Sequence, residues 1–241
     1  MLFGGSGIAN PEQSPNQRGD QVEAVTPRGV SVVIPHLAGF EILSRCLESL
    51  HASRLEPGTE GSGIDASSPD LSLQILLIDN ASKDGSVERA LDSWPRPASC
   101  RLEVVELGVN RGFAEACNEG IRRAQYEFVL LLNDDAALSA GALQELVAFL
   151  EGNPDVGAVQ PKLIGFSEDR HFDYAGAAGG FIDRLGYPYA RGRLFQTLER
   201  DEGQHDDARP IFWGSGACLL LRRAALEQTG LLEPRFFAHM E

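Results

Sequence analysis

Short apolar runs, each ended by a polar residue and followed by a stretch of helical periodicity, recur up to about residue 160 and restrict the fold more than any other feature. The runs are Val30-Ser31-Val32-Val33-Ile34, Leu73-Gln74-Ile75-Leu76-Leu77-Ile78, Leu102-Glu103-Val104-Val105-Glu106-Leu107 and Phe128-Val129-Leu130-Leu131-Leu132. Between them, Ile42, Leu43, Cys46, Leu47 and Leu50 fall at helical spacing within residues 40–51, and the spacing predicts further helices ending near residue 94, over 112–124 and over 140–150. A strand at 156–160 follows. Strands alternating with helices in this way predict a mostly parallel, Rossmann-like sheet with helices on both faces. Runs such as Ile75-Leu76-Leu77-Ile78 have no polar face, as expected of strands covered on both sides.

After Pro161 the pattern changes. Residues 165–210 are rich in Gly, Tyr, Arg and Asp without helical periodicity, which predicts a loop-and-hairpin region beside the sheet edge. Residues 211–222 form a last apolar segment broken at Gly214-Ser215-Gly216, and 224–230 a short helix. Residues 1–28 read as a disordered leader, poor in large apolar groups, and 29–241 as one domain. Residues 54–71, rich in Gly, Ser, Pro and Asp, read as a loop insertion.

Composition excludes several classes of function. A net charge of −14 leaves no basic surface for nucleic acid. The four cysteines form no CxxC pair, so free thiols in a reducing compartment are expected rather than zinc or a disulfide framework. No secretory signal and no apolar run of about 20 residues is present, which points to a cytoplasmic chain. There is no GxxxxGK[ST], no GxSxG and no HExxH.

In a parallel sheet, three polar clusters fall at carboxyl ends of strands: Pro35-His36, Asp79-Asn80-Ala81-Ser82 and Asn133-Asp134-Asp135. Together they can line the crevice where such sheets bind ligands. Adjacent carboxylates repel, so a site holding Asp134 and Asp135 suits a shared hard cation, Mg²⁺ or Mn²⁺. The alternative for each cluster is a turn or helix cap.

These stretches, with Lys83-Asp84-Gly85-Ser86 and Asn110-Arg111-Gly112-Phe113-Ala114, stand in one order that resembles glycosyltransferase family 2, in particular its rhamnosyltransferase-like bacterial branch. The resemblance covers residues 30–241. It implies a GT-A fold and inverting transfer of a sugar from a nucleoside-diphosphate-sugar to a glycan or lipid-linked acceptor in cell-surface glycan synthesis. Some similar enzymes work at the inner face of the cytoplasmic membrane, which would make this chain a peripheral membrane protein.

By the same resemblance, Pro35, Asp79, Asn80, Gly112, Asn118 and Asp134 would hold the nucleotide-sugar, and Asp135 the divalent metal. A carboxylate at Asp79 suits the imide N–H of uracil or thymine; as an alternative it caps the next helix. Gly112 either admits the ligand's close approach at a helix N-terminus or is an ordinary turn glycine. Trp213, Gly214 and Ser215 match the donor- and acceptor-side segment, with Trp213 offering a face to a sugar ring or filling core. Arg191 and Arg193 are either phosphate contacts or solvated.

The final residues, Phe236-Phe237-Ala238-His239-Met240-Glu241, match the start of the family's FFxxxED segment. The resemblance places the general base just beyond Glu241, so a truncated enzyme is expected, with Glu241 as the nearest carboxylate. Two departures stand out: His36-Leu37-Ala38-Gly39 replaces the usual Thr-Tyr-Asn type of turn, and Asn133 replaces the first Asp of DxD. A non-catalytic nucleotide-sugar binder and a sugar-phosphate nucleotidyltransferase remain as alternatives.

Overall fold

The computed structural model describes residues 26–53, 71–94, 100–166 and 169–238. The leader expected at 1–28 and the insertion expected at 54–71 lie almost wholly outside these residues, as does Glu241.

A six-stranded sheet forms the centre. Its strands are β1 (Val30–His36), β2 (Leu73–Asp79), β3 (Cys100–Glu106), β4 (Phe128–Leu132), β5 (Ala158–Val159) and a late strand, β10 (Cys218–Arg222). The spatial order is β3-β2-β1-β4-β10-β5. The first four are mutually parallel, and β10 runs antiparallel to both β4 and β5. The sheet is thus mostly parallel, with a reversed strand where the chain returns from the region after Pro161. Two hairpins make up that region, β6 (Gly180–Ile182) with β7 (Pro188–Ala190) and β8 (Arg193–Leu194) with β9 (Thr197–Leu198).

The helices are α1 (Phe40–Ala52), α2 (Ser86–Ser93), α3 (Gly112–Arg123), α4 (Ala142–Gly152) and α5 (Arg223–Thr229). Side chains alternate across a strand with period two, and the core divides accordingly. Val30, Val32 and Ile34 of β1, Ile75 and Leu77 of β2, and Leu130 and Leu132 of β4 pack with Leu43, Leu47 and Leu50 of α1, Val87 and Ala90 of α2, and Leu143 and Leu150 of α4. On the other face, Val33, Leu76, Ile78, Val129 and Leu131 meet Ala116, Cys117 and Ile121 of α3. Each fully buried Leu, Ile or Val contributes about 1.5–3 kcal/mol relative to exposure. The small residues on α3 let it approach closely: a Cβ on Gly120 would lie 2.3 Å from Val33 Cγ1.

Several expected boundaries shift, and two strands show why. The strand predicted at 156–160 pairs only over Ala158–Val159, because it sits at the sheet edge with β10 as its one neighbour. β3 begins two residues before the predicted Leu102, at Cys100, since register with β2 extends pairing to Leu73. Among the described residues no helix is long and apolar enough to cross a membrane.

Candidate functional site

The parallel strands release their chains at one end of the sheet, and the polar clusters meet there. A cleft of about 300 Å³ opens between the ends of β1, β2 and β4, the N-terminus of α3 and the segment at Phe237 and Ala238. Of the residues expected to hold a nucleotide-sugar, Pro35, Asn80, Gly112 and Asp134 line it.

Asn80 acts as a staple. Its Nδ2 donates to Asn110 Oδ1 (3.0 Å) and Gly112 O (3.2 Å), while its Oδ1 accepts from Arg111 N (2.8 Å). These bonds fix the loop that leads into α3. Asp79, next to it, accepts from Ser82 N at 2.7 Å. That Asx-type turn accompanies the left-handed backbone of Ala81 (φ 71°), an uncommon conformation for a residue with a Cβ. The alternative role for Asp79, a helix cap, is instead a turn inside the β2–α2 loop; the residue that accepts from the first amide of α2 is Asp84, whose Oδ1 receives Ser86 N at 3.1 Å.

At the end of β4, Asn133 N donates to Ala217 O (3.0 Å), so the glycine-containing segment before β10 backs the acidic turn. Gly216 lies against Phe113, which lines the cleft: a Cβ there would be 2.6 Å from Phe113 Cζ. Asp134 Oδ2 accepts from His36 Nδ1 at 2.7 Å. Asp135, next along the turn, is exposed, yet its carboxyl is raised above the usual range. Crowding by surrounding protein comes first among the causes, then the Asp134 charge, with a further contribution from Asp173.

The N-terminus of α3 differs from expectation. Its first amides have no side-chain cap from Arg111. Asn110 Oδ1 accepts from Gly112 N (2.8 Å), and the Phe237 carbonyl accepts from Phe113 N (2.6 Å) and Ala114 N (3.4 Å). The close approach that Gly112 permits is thus made by Phe237: a Cβ on Gly112 would sit 2.4 Å from Phe237 O. Asn118 is also committed to the chain itself, donating to Leu232 O (2.8 Å) and accepting from Leu232 N (2.9 Å). Both contacts pin the C-terminal segment along α3.

The downstream residues are used in packing. Trp213 Nε1 donates to Phe181 O (3.1 Å), and its ring covers Gly180 beside Phe172 and Ala177. Ser215 N donates to Gln160 Oε1 (2.7 Å), and Gly214 lies near Gln160 and Leu219. Arg191 and Arg193 each bond backbone carbonyls, those of Ala178 and of Phe195 and Tyr174. None of Asp79, Asn118, Asp135, Trp213, Gly214 and Ser215 is a cleft-lining residue. Sequence reasoning gave His36 no bonding role. The period-two pattern carried a signal for the histidine, since His36 falls on the face of Ile34 in β1.

A mostly parallel sheet with a cleft at its strand ends and an antiparallel strand beside β4 is the architecture of GT-A glycosyltransferases. The chain superposes on the mannosyltransferase PcManGT of Pyrobaculum calidifontis, solved with GDP-Man and Mn²⁺, with a TM-score of 0.54 and 22% identity, covering 87% of this chain and 49% of that one. Staphylococcus aureus TarS, residues 1–349 with UDP-GlcNAc, gives 0.55 and 18%, over 85% and 48%. Residues 31–230 match the sequence model of Glycosyl transferase family 2, and the chain belongs to that family. It is 28% identical over 185 residues to the N-acetylglucosaminyl-diphospho-decaprenol L-rhamnosyltransferase of Mycobacterium tuberculosis (strain H37Rv), covering 70% of this chain and 58% of that protein. It is also 35% identical over 86 residues to the poly-β-1,6-N-acetyl-D-glucosamine synthase of Staphylococcus epidermidis, 36% of this chain and 20% of that protein. The chain therefore spans little more than half the length of the first of these relatives.

Proposed function

We propose that the cleft binds a nucleoside-diphosphate-sugar and that the protein transfers the sugar, with inversion, to a hydroxyl of a glycan or lipid-linked acceptor. The observation that carries this reading is the meeting of Pro35-His36, Asn80, Asp134 and the α3 N-terminus around one cleft at the carboxyl ends of parallel strands, where open α/β sheets bind ligands. Relatives named for rhamnosyl transfer to a lipid-linked sugar and for polysaccharide synthesis support the acceptor class.

In this reading Pro35 and Asp79 flank the base and ribose, and Asp134 faces the ribose-diphosphate side. The donor set beside them suits a hard cation. Asp135 supplies a carboxylate, and Asn133 Oδ1 is buried with no hydrogen-bond partner; both are oxygen donors of the kind Mg²⁺ and Mn²⁺ prefer. Among the described residues no three His, Cys, Asp or Glu gather into a complete metal site, so diphosphate oxygens would complete the shell around Asp135. When bound, such an ion stabilises the charge that develops on the departing diphosphate.

The chain's own contribution to displacement is positional. An acceptor oxygen attacks the anomeric carbon as the bond to the diphosphate breaks, and a general base takes the hydroxyl proton. By the family resemblance that base would stand just past Glu241, downstream of Phe237 and Ala238, which line the cleft. Positioned bases contribute about 10²–10⁴-fold. Thermal-shift measurements with UDP, dTDP and GDP and their sugar conjugates, with and without Mn²⁺, test the reading. A metal-dependent shift with one nucleotide is expected, and no shift with any of them would overturn it.

A further inference from the structure

His36 stands in one of the polar clusters expected at the crevice and departs from the usual turn. Its side chain has no exposed surface and is bonded at both ends. Nδ1 donates to Asp134 Oδ2 and Nε2 meets Ser86 Oγ, each at 2.7 Å. The row continues: Ser86 Oγ donates to Asp84 Oδ1 at 2.5 Å, and Asp84 Oδ2 accepts from Gly39 N at 2.8 Å. Donors from Ser86 and Gly39 hold the Asp84 carboxyl down to about 2. Ser86 Oγ thus bridges the His36 ring to Asp84.

Strand alternation explains why these groups meet. His36 follows Ile34 on the α1/α2/α4 face of β1, Asp134 lies in the turn two residues past Leu132, which packs on that face, and Ser86 opens α2, which packs there through Val87 and Ala90. A carboxylate two residues beyond a strand has a free χ1 and χ2. Here a buried ring, itself fixed by Ser86, selects one arrangement and leaves Asp134 on the cleft wall.

We propose that His36 is a positioning residue for the nucleotide-sugar site: it aims the Asp134 carboxylate and ties that aim to the Asp84–Ser86 turn. The assignment rests on the function proposed above. His36 lies in the cleft wall, but its side chain has no exposed surface and both ring nitrogens are engaged within the protein, so it acts through Asp134.

Two isosteric variants separate positioning from mere bracing. His36→Asn keeps an N–H at the place of Nδ1 and loses the reach to Ser86, whereas His36→Gln places its N–H at the Nε2 end and abandons Asp134. Calorimetry with UDP, dTDP and GDP, each with Mn²⁺, is read beside the melting temperature and crystal structures of both variants. Both variants melt lower than wild type. His36→Asn is expected to retain nucleotide affinity, while His36→Gln loses about tenfold, the loss of one oriented charge-assisted contact, with Asp134 turned to another rotamer. Equal affinities in the two variants, or an unmoved Asp134 in His36→Gln, would overturn the proposal. If wild type binds none of the three nucleotides, the function proposed above fails, and the Asp134 rotamer in the variant crystals alone decides the positioning.

Discussion

The contact between Gly112 and Phe237 gives the sharpest test of how the C-terminal segment is held. Gly112 has φ 80°, and a Cβ placed there would lie 2.4 Å from Phe237 O and 2.6 Å from Phe237 Cδ2. Gly112→Ala therefore adds two penalties. The left-handed backbone costs about 1–2 kcal/mol for a residue with a Cβ. The collision forces Phe237 away, which releases its bonds from Phe113 N and Ala114 N, each worth about 0.5–1.5 kcal/mol net. Together they come to roughly 2–5 kcal/mol, but the two parts act differently. The backbone term lowers global stability, while the contact term is limited by the free energy of docking the tail.

Gly108 supplies the control, because it has φ 70° and nothing within 4 Å of its would-be Cβ. Gly108→Ala is expected to lower the melting temperature by a few degrees through strain alone, at about 2–4 °C per kcal/mol for a domain of this size. Gly112→Ala is expected to do the same and, in addition, to raise hydrogen exchange at the Phe113 and Ala114 amides and in residues 233–238. Residues upstream stay docked, since Leu232 remains held by Asn118. Unchanged protection at Phe113 and Ala114 in Gly112→Ala, or equal loss in both variants, would refute the assignment of Phe237 as the cap of α3.

Asp135→Asn is expected to abolish the Mn²⁺-dependent part of nucleoside-diphosphate binding, a loss of about tenfold or more, while metal-free binding measured by calorimetry stays near wild type. Asp84→Asn turns a double acceptor into a group whose amide opposes Gly39 N. Because the folded carboxyl is depressed to about 2, the wild-type advantage is full above the ordinary carboxylate range and disappears as pH falls through about 2, which urea denaturation across pH 1.5–7 reads directly. Lys162→Met removes the ammonium that bonds Asp201 and Asp206. The Asp201 side chain is only 3% exposed and keeps Arg170 and Gly203 N as donors, so a loss of about 1–3 kcal/mol is expected by denaturant titration.

How far the sequence disclosed this molecule depended on whether the determining partner was near or far along the chain. β1, β2 and β4 were legible because strands buried on both faces must be continuously apolar, and their polar ends marked the crevice. The antiparallel placement of β10 was not, since nothing in Cys218-Leu219-Leu220-Leu221-Arg222 states which strand it joins or in which direction; that is settled by pairing with Phe128–Leu132. Asn118 shows the same limit at the site. An asparagine on the helix after the Asn110-Arg111-Gly112 turn reads as a ligand contact, yet its amide is taken by Leu232, 114 residues later. His36 is the converse case. Its position on the face of Ile34 was implied by period-two alternation, but the parallel neighbourhood of β1 and β4 was needed to set it 2.7 Å from Asp134. The departure from the usual turn and the acidic cluster are thus two ends of one bonded row. A substitution at position 36 should accordingly be felt at Asp134 before it is felt in the sheet, whose β1 core from Val30 to Ile34 is untouched by it.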